Sequence, residues 1–216
     1  MYIVFEGIDG AGKTTLIEKI AEWLKEEWLK VKVVREPSRI FEESLNSRDH
    51  LIFNDEAWLT LAYAIDRLEI HDNIQTYLKN EHIVLSDRSY ISSLVYQEHT
   101  DFVRHVNGYA IKPDIIIFLD VPAEFARERI IQRDGIEKAP SVETLEKLRK
   151  EYLDILNYDD CDHSVFGVTG FFVDASKSQE DMLEGIKPFL KNMMLNWRDG
   201  IFATRHFTIN YCGERI

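Results

Sequence analysis

The chain has 216 residues, of which 45% are hydrophobic and 30% charged, and a formal net charge of −12. That length suits one domain with a sizeable core, and the acidic balance speaks against a nucleic-acid polymer as main partner, because binding a phosphate backbone needs a basic face. No apolar run approaches the ~18 residues of a membrane span. The first strand begins with no signal peptide ahead of it, and Cys161 and Cys212 show neither metal spacing nor a disulfide framework, so a reducing, cytoplasmic setting is expected.

Tyr2-Ile3-Val4-Phe5 reads as a buried strand, and it leads into Gly7-Ile8-Asp9-Gly10-Ala11-Gly12-Lys13-Thr14. This octapeptide fits G-x-x-x-x-G-K-[ST]. From Thr14 to Leu29 the apolar residues Leu16, Ile17, Ile20, Trp23, Leu24 and Trp28 recur at helical spacing. Strand, glycine-rich turn and helix are the context in which this motif cradles a nucleoside triphosphate. Backbone N–H groups turn inward around phosphate oxygens, and the helix N-terminus adds its unpaired donors and partial positive charge. Gly7, Gly10, Ala11, Gly12, Lys13, Thr14 and Thr15 are the expected triphosphate-binding residues, with Lys13 reaching the β/γ-phosphates and the Thr14 hydroxyl helping to hold Mg²⁺.

Val31–Arg35 reads as a second strand ended by Pro37, and residues 38–53 as a short helix and loop. Asp55 is positioned to cap a long helix reaching about Lys79, with Trp58, Leu59, Leu61, Ala62, Ile65, Leu68 and Ile74 as its apolar positions. Ile83–Ser86 is a third strand with Asp87-Arg88 at its end. Helices are expected over 91–97 and 101–110, then a strongly apolar strand over 114–119 that ends at Asp120. Helices over 123–132 and 142–156, a loop near 158–167, a fifth strand at Phe171–Val173 and a helix over 179–192 complete the pattern. Continuous apolar strands alternating with helices predict a three-layer α/β/α fold with a five-stranded parallel sheet. Ligands of such sheets bind outside the carboxyl ends of the strands. Residues 195–216 carry a turn signal at Asp199-Gly200 and a β-prone Phe207-Thr208-Ile209, which suggest an added hairpin or arm without indicating any chemistry.

A guanine-reading N-K-x-D sequence is absent. Arg35, Arg39, Arg48, Arg67 and Arg88 fall in segments expected near the rim, and guanidinium forks hold phosphate oxygens bidentately. A small kinase with a second, phosphate-bearing substrate is therefore favoured. A deoxynucleoside kinase with Glu36 or Asp87 as base, and a regulatory module without turnover, are the competing readings. His71, His82, His99 and His105 lack i,i+4 metal spacing and take no role.

The chain resembles the thymidylate kinases among P-loop nucleoside monophosphate kinases. The likeness covers about residues 1–190 and rests on Phe5 through Thr15, Arg35-Glu36-Pro37, Ala64-Ile65-Asp66-Arg67, Asp87 through Gln97, Pro113-Asp114, Leu119-Asp120 and Val173 through Ser176. It implies transfer of the γ-phosphoryl group of ATP to dTMP, a homodimer, and a role for each matched residue. Asp9 would meet the sugar 3′-hydroxyl, Asp87 would lie near Mg²⁺, and Arg88 would grip the acceptor phosphate, with Arg39 as a further phosphate ligand. Arg67, Ser93 and Gln97 would read the base and Tyr63 would stack on it. Tyr96 would crowd the sugar C2′ and disfavour ribose. Gly10 and Ala11 leave no catalytic arginine inside the glycine loop, so one should come from a lid at about 127–141. Arg127, Arg129 and Arg133 are the candidates, and Arg133 beside Asp134-Gly135 is best placed. Arg127 and Arg129 otherwise suit pairing with Glu124 and Glu128 on a solvated helix. Ala175 and Ser176 would line the adenine pocket. On this likeness residues 1–194 form the kinase domain and 195–216 an extension.

Overall fold

The computed structural model describes residues 1–46, 55–97, 100–156, 168–198 and 210–212. Its centre is the strand β1 (Tyr2–Glu6), buried at every residue. The apolar stripe of α1 (Lys13–Glu26) packs on the sheet through Leu16, Ile17, Ile20 and Leu24. Trp28 does not extend that stripe. It lies past the helix end at φ 62° and is 96% exposed. After β2 (Val31–Arg35) and a short α2 (Arg39–Asn46), α3 (Glu56–Lys79) opens on Asp55, whose carboxylate accepts from the N–H groups of Ala57 and Trp58. Such a cap satisfies helix donors that have no partner in the first turn.

The chain continues through β3 (Ile83–Asp87), α4 (Tyr90–Tyr96), α5 (Thr100–Val106), β4 (Ile115–Asp120), α6 (Ala123–Asp134), a single 3₁₀ turn at Ile136–Lys138, α7 (Val142–Leu156), β5 (Thr169–Asp174) and α8 (Gln179–Arg198). The strands stand in the order β2-β3-β1-β4-β5, all parallel, with β6 (Asn210–Cys212) added alongside β5. The expected five-stranded parallel sheet is thus present, and the C-terminal stretch adds a short sixth strand at its edge. Asp199-Gly200 and Phe207–Ile209, read as hairpin signals, lie outside the described residues, as do Arg48, His99 and Cys161.

Burial explains why the strands read as continuous apolar runs. Ile115 through Leu119 and Ile83 through Leu85 are covered on both faces, as parallel strands with helices above and below must be. The order of connection reverses beside β1, whose neighbours are β3 and β4. Ligands of open α/β sheets settle outside the carboxyl ends of the strands at such a reversal, and the glycine loop begins there.

Candidate active site

The loop from Gly7 to Gly12 leaves β1 and enters α1 through backbone that side chains resist. Gly7 stands at φ 146°, and a Cβ there would lie 2.7 Å from the Leu119 carbonyl oxygen. Gly10 stands at φ 81°, and a Cβ there would run into the backbone of Ala126. The loop therefore nests between the ends of β4 and α6 only because these positions are glycine. Ala11 is fully buried beneath it. Gly12 caps α1 with no side-chain bond to the helix N–H groups, which leaves those donors to an anion. Lys13 reaches back across the loop and donates from Nζ to the carbonyls of Gly7 at 2.8 Å and Ile8 at 3.0 Å. Burial, and then the charge of Arg88, lower its pKa to about 8.

Two clefts meet at this loop. The larger, of about 900 Å³, is walled by Gly10, Gly12, Lys13, Thr14 and Thr15 on one side and by Arg129, Arg133, Lys138, Lys177 and Gln179 on the other. Thr14 donates its hydroxyl to Asp87 Oδ2 across 2.6 Å on the same wall. The smaller, of about 450 Å³, is lined by Glu36, Pro37, Tyr63, Arg67, Ser93, Tyr96 and Gln97. Asp9, Arg35, Glu42 and Arg88 line both, so these four stand at the junction.

Arg88 is the centre of the junction. It has φ 74°, a left-handed backbone that is uncommon away from glycine. Two hydrogen bonds hold it there, from its own N–H to the Phe5 carbonyl at 3.0 Å and from Ser86 Oγ to its carbonyl at 2.7 Å. Its Nη2 meets Asp9 Oδ1 at 2.5 Å and the Tyr96 hydroxyl at 3.4 Å, and its Nη1 donates to Ser92 Oγ and the Tyr152 hydroxyl. The guanidinium also sits 4.9 Å from the centre of the Tyr96 ring, within cation–π range. Burial works against the Asp9 charge, but Arg88 and Lys13 outweigh it and hold that carboxyl below its ordinary value.

In the smaller cleft Arg67 is buried, and each of its three guanidinium nitrogens has a partner. Nε donates to Glu36 Oε2 at 2.6 Å, Nη2 to Ser93 Oγ at 3.0 Å, and Nη1 to Asn107 Oδ1. Burial raises the Glu36 pKa against the pull of Arg67. Glu36 Oε1 and Gln97 Oε1 are buried there without hydrogen-bond partners, which marks the cleft as built for donors it does not itself supply. Tyr63 packs edge-on against Phe41 with ring centres 5.0 Å apart, on the wall of this cleft.

The predicted residues therefore gather on one rim. Gly10, Gly12, Lys13, Thr14, Thr15, Asp87 and Arg133 line the larger cleft, Tyr63, Arg67, Ser93, Tyr96 and Gln97 the smaller, and Asp9 and Arg88 both. Arg39 is not brought in. It is exposed at the start of α2 and lines neither cleft, whereas Arg35, paired with Glu42 at 3.0 Å, lines both. Among the α6 arginines, Arg127 turns to the Pro140 carbonyl and Arg129 to the Gly10 carbonyl, while Arg133 pairs with Asp134 beside the larger cleft. Sequence reasoning gave no role to Glu6, Ser92, Tyr152, Asn107, Lys138 or Gln179. Glu6 lay inside the quoted motif, but a carboxylate one residue before the glycine loop carries no signal of its burial.

A cleft over a P-loop and a second, arginine-bearing cleft sharing Arg88 with it are the arrangement of a nucleoside monophosphate kinase. Residues 5–186 match the protein-family model described as thymidylate kinase. The chain is 33% identical over 195 residues to a probable thymidylate kinase of Methanobrevibacter smithii, covering 88% of this chain and 96% of that one. It is 36% identical over 197 residues to probable thymidylate kinase 1 of Saccharolobus solfataricus (88% and 97%) and 36% over 202 residues to a probable thymidylate kinase of Archaeoglobus fulgidus (90% and 96%). The chain belongs to the thymidylate kinase family. Its reaction is the phosphorylation of dTMP by ATP.

Proposed function

We propose that the two clefts divide the substrates, ATP phosphates in the larger and dTMP in the smaller, and that the γ-phosphoryl group crosses to the acceptor phosphate at Arg88. The observation that carries this is that Arg88 lines both clefts from a strained, doubly hydrogen-bonded position. Phosphoryl transfer asks for alignment and for positive charge around the equatorial oxygens, with little covalent work by the protein. Lys13, Arg88 and Arg133 supply that charge, and the acceptor oxygen is already ionised near neutral pH, so no base is required. Asp9 receives the sugar 3′-hydroxyl, Tyr63 stacks on the base, and Arg67, Ser93 and Gln97 read its edge. Tyr96 stands where a 2′-hydroxyl would fall. Ala175, fully buried, and Ser176 line neither cleft, and Lys177, Ser178 and Gln179 just beyond them line the larger one.

Thr14 Oγ1 and Asp87 Oδ2 lie together on the phosphate wall. This fits Mg²⁺, which takes one or two protein oxygens and completes its shell with water and phosphate. Thr14 and Asp87 would hold the ion, which would offset negative charge on the phosphates when bound. Residues 1–194 form the kinase domain, with 127–141 as a lid that excludes water on closing. Among the described residues no helix is long and apolar enough to cross a membrane. A cytoplasmic setting is supported by the cysteine pattern.

The same proposal includes a homodimer. Trp58, Ile65 and Leu68 recur at near-heptad spacing on α3 and are exposed, with Phe102 and Tyr109 also exposed on and beyond α5, which packs on α3. An uncovered apolar stripe of this kind marks a docking face, and a second copy of the chain is the partner proposed.

The test is an ADP-release assay with ATP and Mg²⁺, offering dTMP, dUMP, dCMP, dGMP and thymidine in parallel. Turnover with dTMP well above the others is expected. Turnover with thymidine but not dTMP would move the acceptor from a phosphate to a hydroxyl and overturn the assignment of Arg88.

A further inference from the structure

Glu6, the last residue of β1, has no exposed surface and touches no substrate-lining cation directly. Its carboxylate instead collects three hydroxyl groups. Ser89 Oγ donates to Oε1 at 2.7 Å, and Ser92 Oγ and the Tyr152 hydroxyl donate to Oε2 at 2.7 and 3.0 Å. A carboxylate taken fully out of water is costly unless its lone pairs are used, and here they are. Neither cleft reaches it, since Glu6 lines neither.

The proton inventory gives this cluster a direction. An arginine side chain can only donate, and Arg88 Nη1 donates to Ser92 Oγ at 3.0 Å and to the Tyr152 hydroxyl at 3.2 Å. Both hydroxyls therefore accept on the Arg88 side, and each can turn its single proton to Glu6 Oε2, at 2.7 and 3.0 Å, or to the other hydroxyl 2.9 Å away. The carboxylate charge draws both. Ser89 is fixed in the same way, because its oxygen already accepts the N–H of Ile91 at the start of α4. Ser92 and Tyr152 form a two-strand relay: charge-assisted hydrogen bonds lead from Glu6 to two oriented hydroxyls, and from these to one edge of the guanidinium. With Nη1 so held, Nη2 is the edge left facing Asp9 and the cleft junction.

We propose that Glu6 is a positioning residue for the acceptor phosphate: through Ser92 and Tyr152 it fixes the rotation of the Arg88 guanidinium that grips the phosphate of dTMP. This rests on the role given above to Arg88. The relay hydrogen-bonds to Arg88 and to none of the base-reading residues Tyr63, Arg67 or Gln97, while the Tyr152 ring meets Tyr96 only edge-on with centres 6.2 Å apart. The phosphate is therefore the part of dTMP that Glu6 chiefly governs. In glutamine the amide, in either orientation, places N–H₂ against at least one of the three converging protons. The charge that polarises the relay is lost as well.

The experiment compares dTMP with thymidine as calorimetric ligands for the wild-type enzyme and Glu6→Gln, with steady-state turnover measured beside them. A variant that loses the relay binds dTMP about tenfold or more weakly, the scale of one charged hydrogen bond, and binds thymidine within about twofold of wild type. Tyr152→Phe keeps the core filled, removes one arm of the relay, and gives the same pattern in smaller measure should Glu6→Gln fail to fold. In the Arg88→Ala background neither substitution costs dTMP affinity further. Equal losses for dTMP and thymidine, no loss for either, or losses additive with Arg88→Ala would each overturn the assignment. Wild-type enzyme that fails to turn over dTMP would instead overturn the role of Arg88 itself, so the two failures are distinct.

Discussion

Arg88 and Asp9 face each other across 2.5 Å where the two clefts join. The pair explains how an exposed-looking loop aspartate and a left-handed arginine can both be stable. Arg88 lowers the Asp9 pKa against burial, and Asp9 occupies the guanidinium edge that an acceptor phosphate would take. A preorganised donor aimed at transferred charge is commonly worth about 10²–10³ in rate. Arg88→Ala is expected to lower kcat/KM for dTMP by at least that, and Arg88→Lys to recover little, because an ammonium cannot form the fork. Steady-state kinetics decide. A loss below tenfold for Arg88→Ala would remove it from the transfer step.

Lys13 gives a prediction in pH. Burial and Arg88 set its pKa at about 8 against 10.5 for the free side chain, and phosphate oxygens brought beside it favour the charged form. Binding ATP therefore takes up a proton near pH 8, and ATP affinity falls as pH rises through that value. Calorimetry in two buffers of different ionisation enthalpy reads the uptake directly, and Lys13→Met abolishes it. The same shift has a stability consequence. Between pH 8 and 10.5 the unfolded chain holds the proton that the folded chain has lost, so this group's contribution to stability rises with pH there. At pH 7 the buried charge is a standing cost. Lys13→Met should melt higher than wild type while losing turnover, and a lower melting temperature would contradict the buried-charge account.

His71 adds an acid-labile element. Burial, and then Arg67, lower its pKa to about 4 from 6.5, so it is neutral beside Glu36 at physiological pH. Between these values only the unfolded chain carries the proton, and the stability this group contributes is lost as pH falls from about 6.5 toward 4. Thermal unfolding followed from pH 7 to pH 4.5 should show a shallower decline for His71→Phe than for wild type. In carbon-detected titrations the His71 ring should stay neutral down to pH 5. A midpoint near 6.5 would show that the ring is solvated and would remove it from the Arg67 cluster.

Much of this was legible from the residues. Strands such as Ile83–Ser86 and 114–119 are apolar throughout because both faces are covered, and the helix from Asp55 to Lys79 announced itself through its cap. The glycine loop was legible because its backbone demands are written in residue type. Helical periodicity alone misled on α3 and α1. It marks apolar positions without saying what covers them, so Trp58, Ile65 and Leu68 are read as apolar positions of the helix yet stand exposed, and Trp28 is read as helix yet stands beyond it. Arg39 and Arg35 are four residues apart, and only the turn through Pro37 decides that Arg35 lines the clefts. The cluster of Glu6, Ser92 and Tyr152 joins residues up to 146 positions apart, and no local pattern encodes such a meeting.

The exposed stripe on α3 carries its own test. Ile65 and Leu68 are 63% and 48% exposed, while Ala64, Arg67 and His71 on the same helix are buried. If two copies pair there, Ile65→Arg with Leu68→Glu should shift sedimentation from dimer to monomer. Arg67 lies on the same helix, so KM for dTMP should rise as the helix loses its support. A wild-type protein that sediments as a monomer at micromolar concentration would remove the dimer.

The lid arginines separate by what holds each one. Arg129 also lines the larger cleft, but it donates to the Gly10 carbonyl at 3.3 Å and so braces the glycine loop. Arg133 is 65% exposed and paired at 2.7 Å with its neighbour Asp134, a surface contact weak enough to be exchanged for phosphate. Exchange needs a mobile side chain near the phosphates, and Arg133 lines the larger cleft just before Gly135, which ends α6 at φ 90° with open space around it. Arg133→Ala should therefore lower kcat by about 10² while leaving KM for ATP within a few fold, the signature of a contact made in the transition state. Arg129→Ala should chiefly raise KM for ATP, because the loop it braces binds ground and transition states alike. Kinetics of the two variants at saturating dTMP separate these roles. A larger fall in kcat for Arg129→Ala than for Arg133→Ala would transfer the catalytic role to Arg129 and leave Arg133 as a surface residue.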